Sequence, residues 1–187
     1  SFSLYLWTWW RLCWRKTRQE AARRRREPER RAVESVTNRR AAALAGVVAG
    51  LIATVFQLGL WAAAAVPLPQ TLYRDARLTV AIVLGSAALT PPDSFDWTVM
   101  VVASAVHFAL SIVYGLVFCT LLARLSPRRS GLWGALFGLL LFFLNLYGMT
   151  AFFPWFAVAR DWITAAAHVV FGVTLALAYP LPARPGR

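Results

Sequence analysis

The sequence predicts an all-α integral membrane protein: a four-transmembrane-helix bundle with a basic N-terminal cytoplasmic segment and a short extra helix between spans one and two. Three observations carry this. Of 187 residues, 59% are hydrophobic and the mean hydropathy is +0.55, far above the usual share for a soluble domain. The charges that exist are gathered into blocks: residues 1–40 hold eleven Arg and one Lys against four Glu, which supplies +8 of a net charge of +12. Spans at about 41–66, 97–124, 131–153 and 162–180 each approach the roughly 20 residues that a membrane helix needs.

Residues 1–14, SFSLYLWTWWRLCW, are aromatic but too short to span, and they fit an interfacial anchor. The rest of the 1–40 segment carries Arg23, Arg24, Arg25, Arg26, Arg30, Arg31, Arg39 and Arg40, broken by acidic residues and by Pro28, which suits two short helical pieces on the membrane surface. As a polybasic patch these arginines are candidate contacts for anionic lipids at the cytoplasmic face, each contributing about 1 kcal/mol near an anionic leaflet. The simpler reading is a topology determinant with a solvated face. Nucleic acid is disfavoured, because no aromatic stacking residues are interleaved among the arginines.

The first span, Ala41–Val66, is closed by Trp61 and Pro67. Its twin Arg also resembles a Tat-type signal, but the run is longer than a signal core, and Gly46-x-x-x-Gly50 suits a helix packed against a partner. Between spans one and two, prolines at 67, 69, 91 and 92 enclose the apolar stretch Leu78–Leu89, preceded by Arg74, Asp75 and Arg77. A short outer-face helix at about 72–89 is expected, lying over the bundle like a lid, and a re-entrant half-helix is the alternative. Arg at the N-terminal segment, at Arg124, Arg128 and Arg129, and in the tail at 181–187 falls on one side of a four-span bundle whose two ends are cytoplasmic.

Four residues with an amide or imidazole side chain interrupt the spans, one in each: Gln57, His107, Asn145 and His168. At about 1.5 Å per residue they lie roughly 9–15 Å below the outer ends, in one layer. Intramembrane polar residues are costly and turn toward the bundle interior. The recurrences His107-Ser111-Gly115-Cys119, Thr164-His168-Gly172-Ala176 and Gly134-Gly138 give inward stripes of small residues. An interhelical hydrogen-bond network that fixes packing is the first reading of this layer. A proton or small-solute path is the second, and a haem or metal held by His107 and His168 the third. No Asp or Glu lies within a span, so a selective metal site lacks ligands, and no metal or other cofactor is expected.

No Ser/His/Asp set, H-E-x-x-H, P-loop or Gly-rich dinucleotide turn occurs, so the chain is not expected to be an enzyme. Cys13 and Cys119 belong to segments too far apart in depth for a disulfide. Between spans three and four, Phe152, Phe153, Pro154, Trp155 and Phe156 form an aromatic hairpin that can anchor at the headgroups or dock a partner or a lipid-like tail. Arg160 and Asp161 come next, placed to latch this hairpin to Leu78–Leu89.

The pieces HFALSIVYG (His107–Gly115) and NLYGMTAFFPWFAVARDWITAAAHVVFG (Asn145–Gly172) resemble an uncharacterised family of short four-span bacterial inner-membrane proteins, some of whose members carry a sodium:proline symporter label. The similarity spans roughly residues 41–180, with FPWFA-x-x-RDW-x5-H its most specific part. The resemblance implies a fold and a location in the inner membrane, not an activity. The functional expectation is a non-catalytic accessory or assembly subunit of a larger inner-membrane complex, partnered by lipid and by other subunits or itself. The alternative is a small transporter or proton-conducting oligomer working through His107 and His168.

Overall fold

The computed structural model describes residues 39–90, 94–122 and 129–179. The chain divides after Arg40, and the unit that begins at Ala41 holds the bundle. Among the described residues all regular structure is helical: α1 (Arg39–Ala63), α2 (Leu68–Leu84), α3 (Trp97–Leu122), α4 (Ser130–Phe143) and α5 (Trp162–Ala178). Short 3-10 turns succeed α2 at Ser86–Leu89 and precede α5 at Pro154–Ala159. Three helices, Arg39–Ala63, Trp97–Leu121 and Ser130–Ala151, are long and apolar enough to cross a membrane, and α5 is a shorter apolar helix of 17 residues.

The bundle is built from two close crossings. Ala42, Gly46 and Gly50 on α1 meet Gly115, Ser111 and His107 on α3, so the two helices run antiparallel. A Cβ on Gly46 would overlap the Ser111 carbonyl, and one on Gly115 would stand 2.6 Å from the Ala42 carbonyl oxygen. Gly134 and Gly138 on α4 meet Gly172 and His168 on α5 in the same way, with backbone against backbone. Small residues at four-residue spacing permit this approach, and dispersion between the backbones replaces the hydrophobic effect as the cohesive force in an apolar surrounding.

The distribution of bulk fits that surrounding. Ala42, Ala45, Ala49 and Ala53 are buried, whereas Leu44, Val48 and Val55 on the same helix are exposed, as are Val113, Val117, Leu136 and Leu140 on α3 and α4. Small residues inside and large aliphatic residues outside reverse the order of a water-soluble helix. At the end where α1 starts and α5 finishes, Ala42, Phe118, Phe137, Leu141, Phe171 and Leu175 form a packed apolar cluster. Phe118 and Phe137 stack there at 4.8 Å between ring centroids.

The opposite end is covered by α2. Ala76 and Val80 of α2 pack on Ala103 of α3, and Leu78 packs with Phe142, Leu146 and Ala159. The helix begins at Leu68, earlier than the expected 72, because Pro67 and Pro69 fall at its cap and first turn, where a missing N–H costs nothing. Arg74, Asp75 and Arg77 ride on the helix, as a start at 72 also implies. Gly85, at φ 78°, ends it after Leu84, and Leu89 belongs to a separate 3-10 turn. Ala65, at φ 54°, takes the left-handed position that closes α1, where Val66 N–H donates to the Trp61 carbonyl at 2.9 Å.

The third span also differs from one uninterrupted helix over 131–153. After Phe143 the chain widens into a π-helical turn, Leu144–Gly148, and then tightens into a 3-10 turn, Met149–Ala151. Such a turn inserts a residue and rotates the part of the chain that follows it, and Asn145 is its second residue. Residues 1–38, with most of the polybasic patch, and the basic turn at 123–128 lie outside the described residues.

Candidate functional site

The gap beneath α2 is a cavity of about 630 Å³. That volume falls within the roughly 300–1,000 Å³ usual for small-molecule sites. Gln57, His107, Asn145 and His168 all line it, so the structure brings the four polar span residues to one place. They do not form one continuous network.

One chain of hydrogen bonds runs through α3, α4 and α5. The Tyr114 hydroxyl donates to Asn145 Oδ1 at 2.7 Å, and Asn145 Nδ2 lies 3.5 Å from His168 Nε2. His168 Nδ1 lies 2.8 Å from the Thr164 carbonyl, which can only accept, so Nδ1 carries the proton and Nε2 accepts from Asn145. Thr164 in turn gives its hydroxyl proton to Asp161 Oδ2 at 3.2 Å and its N–H to Oδ1 at 2.8 Å, so Asp161 is the N-cap of α5. Gln57 Nε2 reaches Thr164 Oγ1 at 3.5 Å.

The second set joins α1 to α3. The Thr54 hydroxyl donates to the Gly50 carbonyl at 2.9 Å. His107 Nε2 lies 3.3 Å from Thr54 Oγ1 and 3.4 Å from the Gly50 carbonyl, both acceptors, so Nε2 carries its proton. Each imidazole is thus committed to its own helix neighbourhood. Ligation of a haem through His168 Nε2 would displace Asn145, whereas Nδ1 of His107 takes no part in its set. Among the described residues no group of three or more His, Cys, Asp or Glu is placed to hold a metal ion.

Replacing Asn145 by Leu removes the acceptor of Tyr114 and the donor to His168 at nearly constant volume. The expected loss is about 1 kcal/mol, the usual scale of an interhelical hydrogen bond in a bundle of this kind, read as a lower midpoint of thermal unfolding in mild detergent.

The aromatic hairpin turns partly inward. Phe153 and Phe156 line the cavity, and Trp155 Nε1–H donates to the Leu78 carbonyl at 3.2 Å, while Phe152 is the ring left 75% exposed. The hairpin is therefore tied to the Leu78–Leu89 region by Trp155, and not by Arg160 or Asp161 as expected. Arg160 instead donates to the Leu146 carbonyl and to Thr150 Oγ1, each at 2.6 Å, and its guanidinium lies 4.4 Å from the Tyr147 ring centroid. The physical reason is the π-helical turn: its carbonyls fall out of the regular ladder, and a five-donor guanidinium satisfies them better than a distant helix can.

Four further residues contribute that a pattern of one polar residue per span omits: Thr54, Tyr114, Thr164 as a hub, and Asp75 of α2, which lines the cavity and pairs with Arg74 at 2.8 Å. Thr54 extends Gly46-x-x-x-Gly50 by four residues, and Asp161 stands immediately before an apolar run, the N-cap signal. Tyr114 carries no such mark. Of the candidate lipid-contacting arginines, Arg39 and Arg40 are exposed at the start of α1, and Arg23, Arg24, Arg25, Arg26, Arg30 and Arg31 lie outside the described residues. Cys119 is buried and free. Comparison of the chain with protein-family models, with curated proteins and with solved structures gives no match.

Proposed function

We propose that the chain is a non-catalytic four-span membrane protein, acting as an accessory component of the inner membrane, that holds a small molecule in the α2-covered cavity. The observation that carries this is the pairing of the cavity with a closed end. Gln57, His107, Asn145 and His168 converge on one space, and below them Phe118, Phe137, Leu141, Phe171 and Leu175 pack in a cluster whose polar members, Cys119 and Tyr179, bond to each other. A space that ends on a packed apolar cluster suits binding, whereas conduction needs a polar path through both ends of the bundle.

The placement of arginines on the α1-start side supports cytoplasmic ends, and the resemblance to short bacterial four-span proteins supports the inner membrane. With Arg39 and Arg40 at the start of α1 on that face, the cavity, which α1 lines from Leu51 to Trp61, lies in the other half of the bilayer. Reconstituted in phospholipid vesicles with an imposed pH gradient, the protein is expected to leave the decay of the gradient at the protein-free rate. Faster decay that disappears in His168→Leu would establish the conducting alternative instead.

A further inference from the structure

Building on that binding role, we infer that the occupant is a neutral, hydroxyl-bearing lipid-like molecule that enters sideways from the bilayer. Three observations converge on this class.

The first is the wall. Leu51, Leu110, Leu144 and Met149 line the cavity, yet they are 54%, 38%, 49% and 37% exposed on the outer surface of α1, α3 and the end of α4. These helices, or in α4 its π and 3-10 continuation, are the apolar ones long enough to cross a membrane. A residue that faces both the cavity and the outside marks an edge of the opening, and here that outside is hydrocarbon. On the water side the cavity is covered by α2, held down by the Trp155 to Leu78 hydrogen bond and by the packing of Ala76 and Val80 on Ala103. A molecule with an apolar chain can leave that chain in the gap, while a fully polar solute meets no polar approach from this side.

The second is charge. Among the described residues the cavity wall contains no Lys or Arg, and its one carboxylate, Asp75, is already paired with Arg74. An ionised headgroup brought from water into this space has no counter-ion to meet, and burying an unpaired charge is far more costly than burying a hydrogen-bonded hydroxyl.

The third is the direction of the unused hydrogen bonds. With Nε2–H of His107 committed to Thr54 and Gly50, its Nδ1 is a bare acceptor. Gln57 uses Nε2 toward Thr164, which leaves Oε1 as an acceptor. Neither atom is among the buried polar atoms that lack a partner, so both remain accessible, and both belong to cavity-lining residues. Two acceptors at the polar end select a donor, and an alcohol supplies one without adding charge. Glycerides with free hydroxyls, long-chain alcohols and reduced quinol-type rings share this chemistry.

A photoreactive monooleoylglycerol with a diazirine in its chain, added to the full chain in phosphatidylcholine vesicles, tests the inference. Saturable labelling at Leu51, Leu110, Leu144 or Met149 is expected, abolished in Leu51→Trp, whose exposed position spares the fold. Unlabelled monooleoylglycerol should compete at least about tenfold better than oleate or octadecane, and Gln57→Leu should weaken that competition about tenfold, the value of one hydrogen bond. Oleate competing as well as the glyceride overturns the neutral-hydroxyl class while leaving the cavity a binding site. Octadecane competing equally overturns the role of His107 and Gln57. Labelling that never saturates, unchanged in Leu51→Trp, overturns the cavity as a binding site altogether.

Discussion

Gly138→Leu and Gly172→Leu are expected to abolish the folded bundle, with loss of the protein from the membrane fraction or a collapse of its unfolding midpoint. Even alanine is costly at these sites. A Cβ on Gly138 would overlap the His168 carbonyl, and one on Gly172 would overlap the Gly134 carbonyl and stand 2.7 Å from Gly138 N. The obstacles are backbone atoms on the facing helix, so they cannot rotate away, and relief comes only from separating α4 and α5. Overpacking of a close-fitted core typically costs about 1–3 kcal/mol per added group, and a rigid backbone neighbour puts alanine at the upper end, about 3 kcal/mol. Separation would also pull His168 away from Asn145 and widen the cavity floor. The internal control is Gly59 and Gly131, where a Cβ meets nothing within 4 Å: alanine there is expected to change the midpoint by less than a degree or two or to raise it slightly. Equal effects at all four glycines would show that helix propensity, and not close crossing, governs the result.

Arg160→Ala is expected to cost about 2–3 kcal/mol, from the loss of two charge-assisted hydrogen bonds and a cation–π contact. The Leu146 carbonyl lies in the π-helical turn and has the guanidinium as a partner at 2.6 Å, with Thr150 held at the same distance and the Tyr147 ring at 4.4 Å. Lysine keeps the charge but not the fork, so Arg160→Lys should recover less than half of the loss. The turn that Arg160 holds also positions Asn145 on the cavity wall. Its removal should therefore increase hydrogen exchange at Leu144–Gly148 more than at the start of α4, a local loosening that a merely solvated arginine would not produce.

Much of the bundle is legible in the sequence for a physical reason. Helices in an apolar surrounding come together through small residues, and small residues at spacing four are visible in Gly46-Gly50, Gly134-Gly138 and Gly172-Ala176, where the crossings in fact lie. Polar residues within apolar runs are equally visible, since the surroundings make each one costly, and Gln57, His107, Asn145 and His168 all line the cavity. What the sequence hides depends on local backbone departures. The π-helical turn at Leu144–Gly148 has no Pro or Gly inside it to announce the widening, apart from Gly148 at its end. Without that turn, the destination of Arg160 is also hidden, so its charge reads as a latch to α2. The start of α2 is hidden by Pro67 and Pro69, which interrupt a helix interior but fit a first turn. Hydrogen-bond direction lies further from the sequence still: the open acceptor on His107 depends on Thr54 having given its proton to Gly50.

The central claim, that the cavity under α2 holds one small molecule, is tested most directly by native mass spectrometry of the protein released from lipid nanodiscs. The wild-type chain is expected to carry one retained small-molecule adduct at one-to-one stoichiometry. Ser104→Trp, which adds bulk at an exposed residue of the cavity wall, should lose that adduct while keeping its unfolding midpoint. A wild-type chain that carries no adduct, or the same graded series of loosely bound lipids as Ser104→Trp, would contradict it.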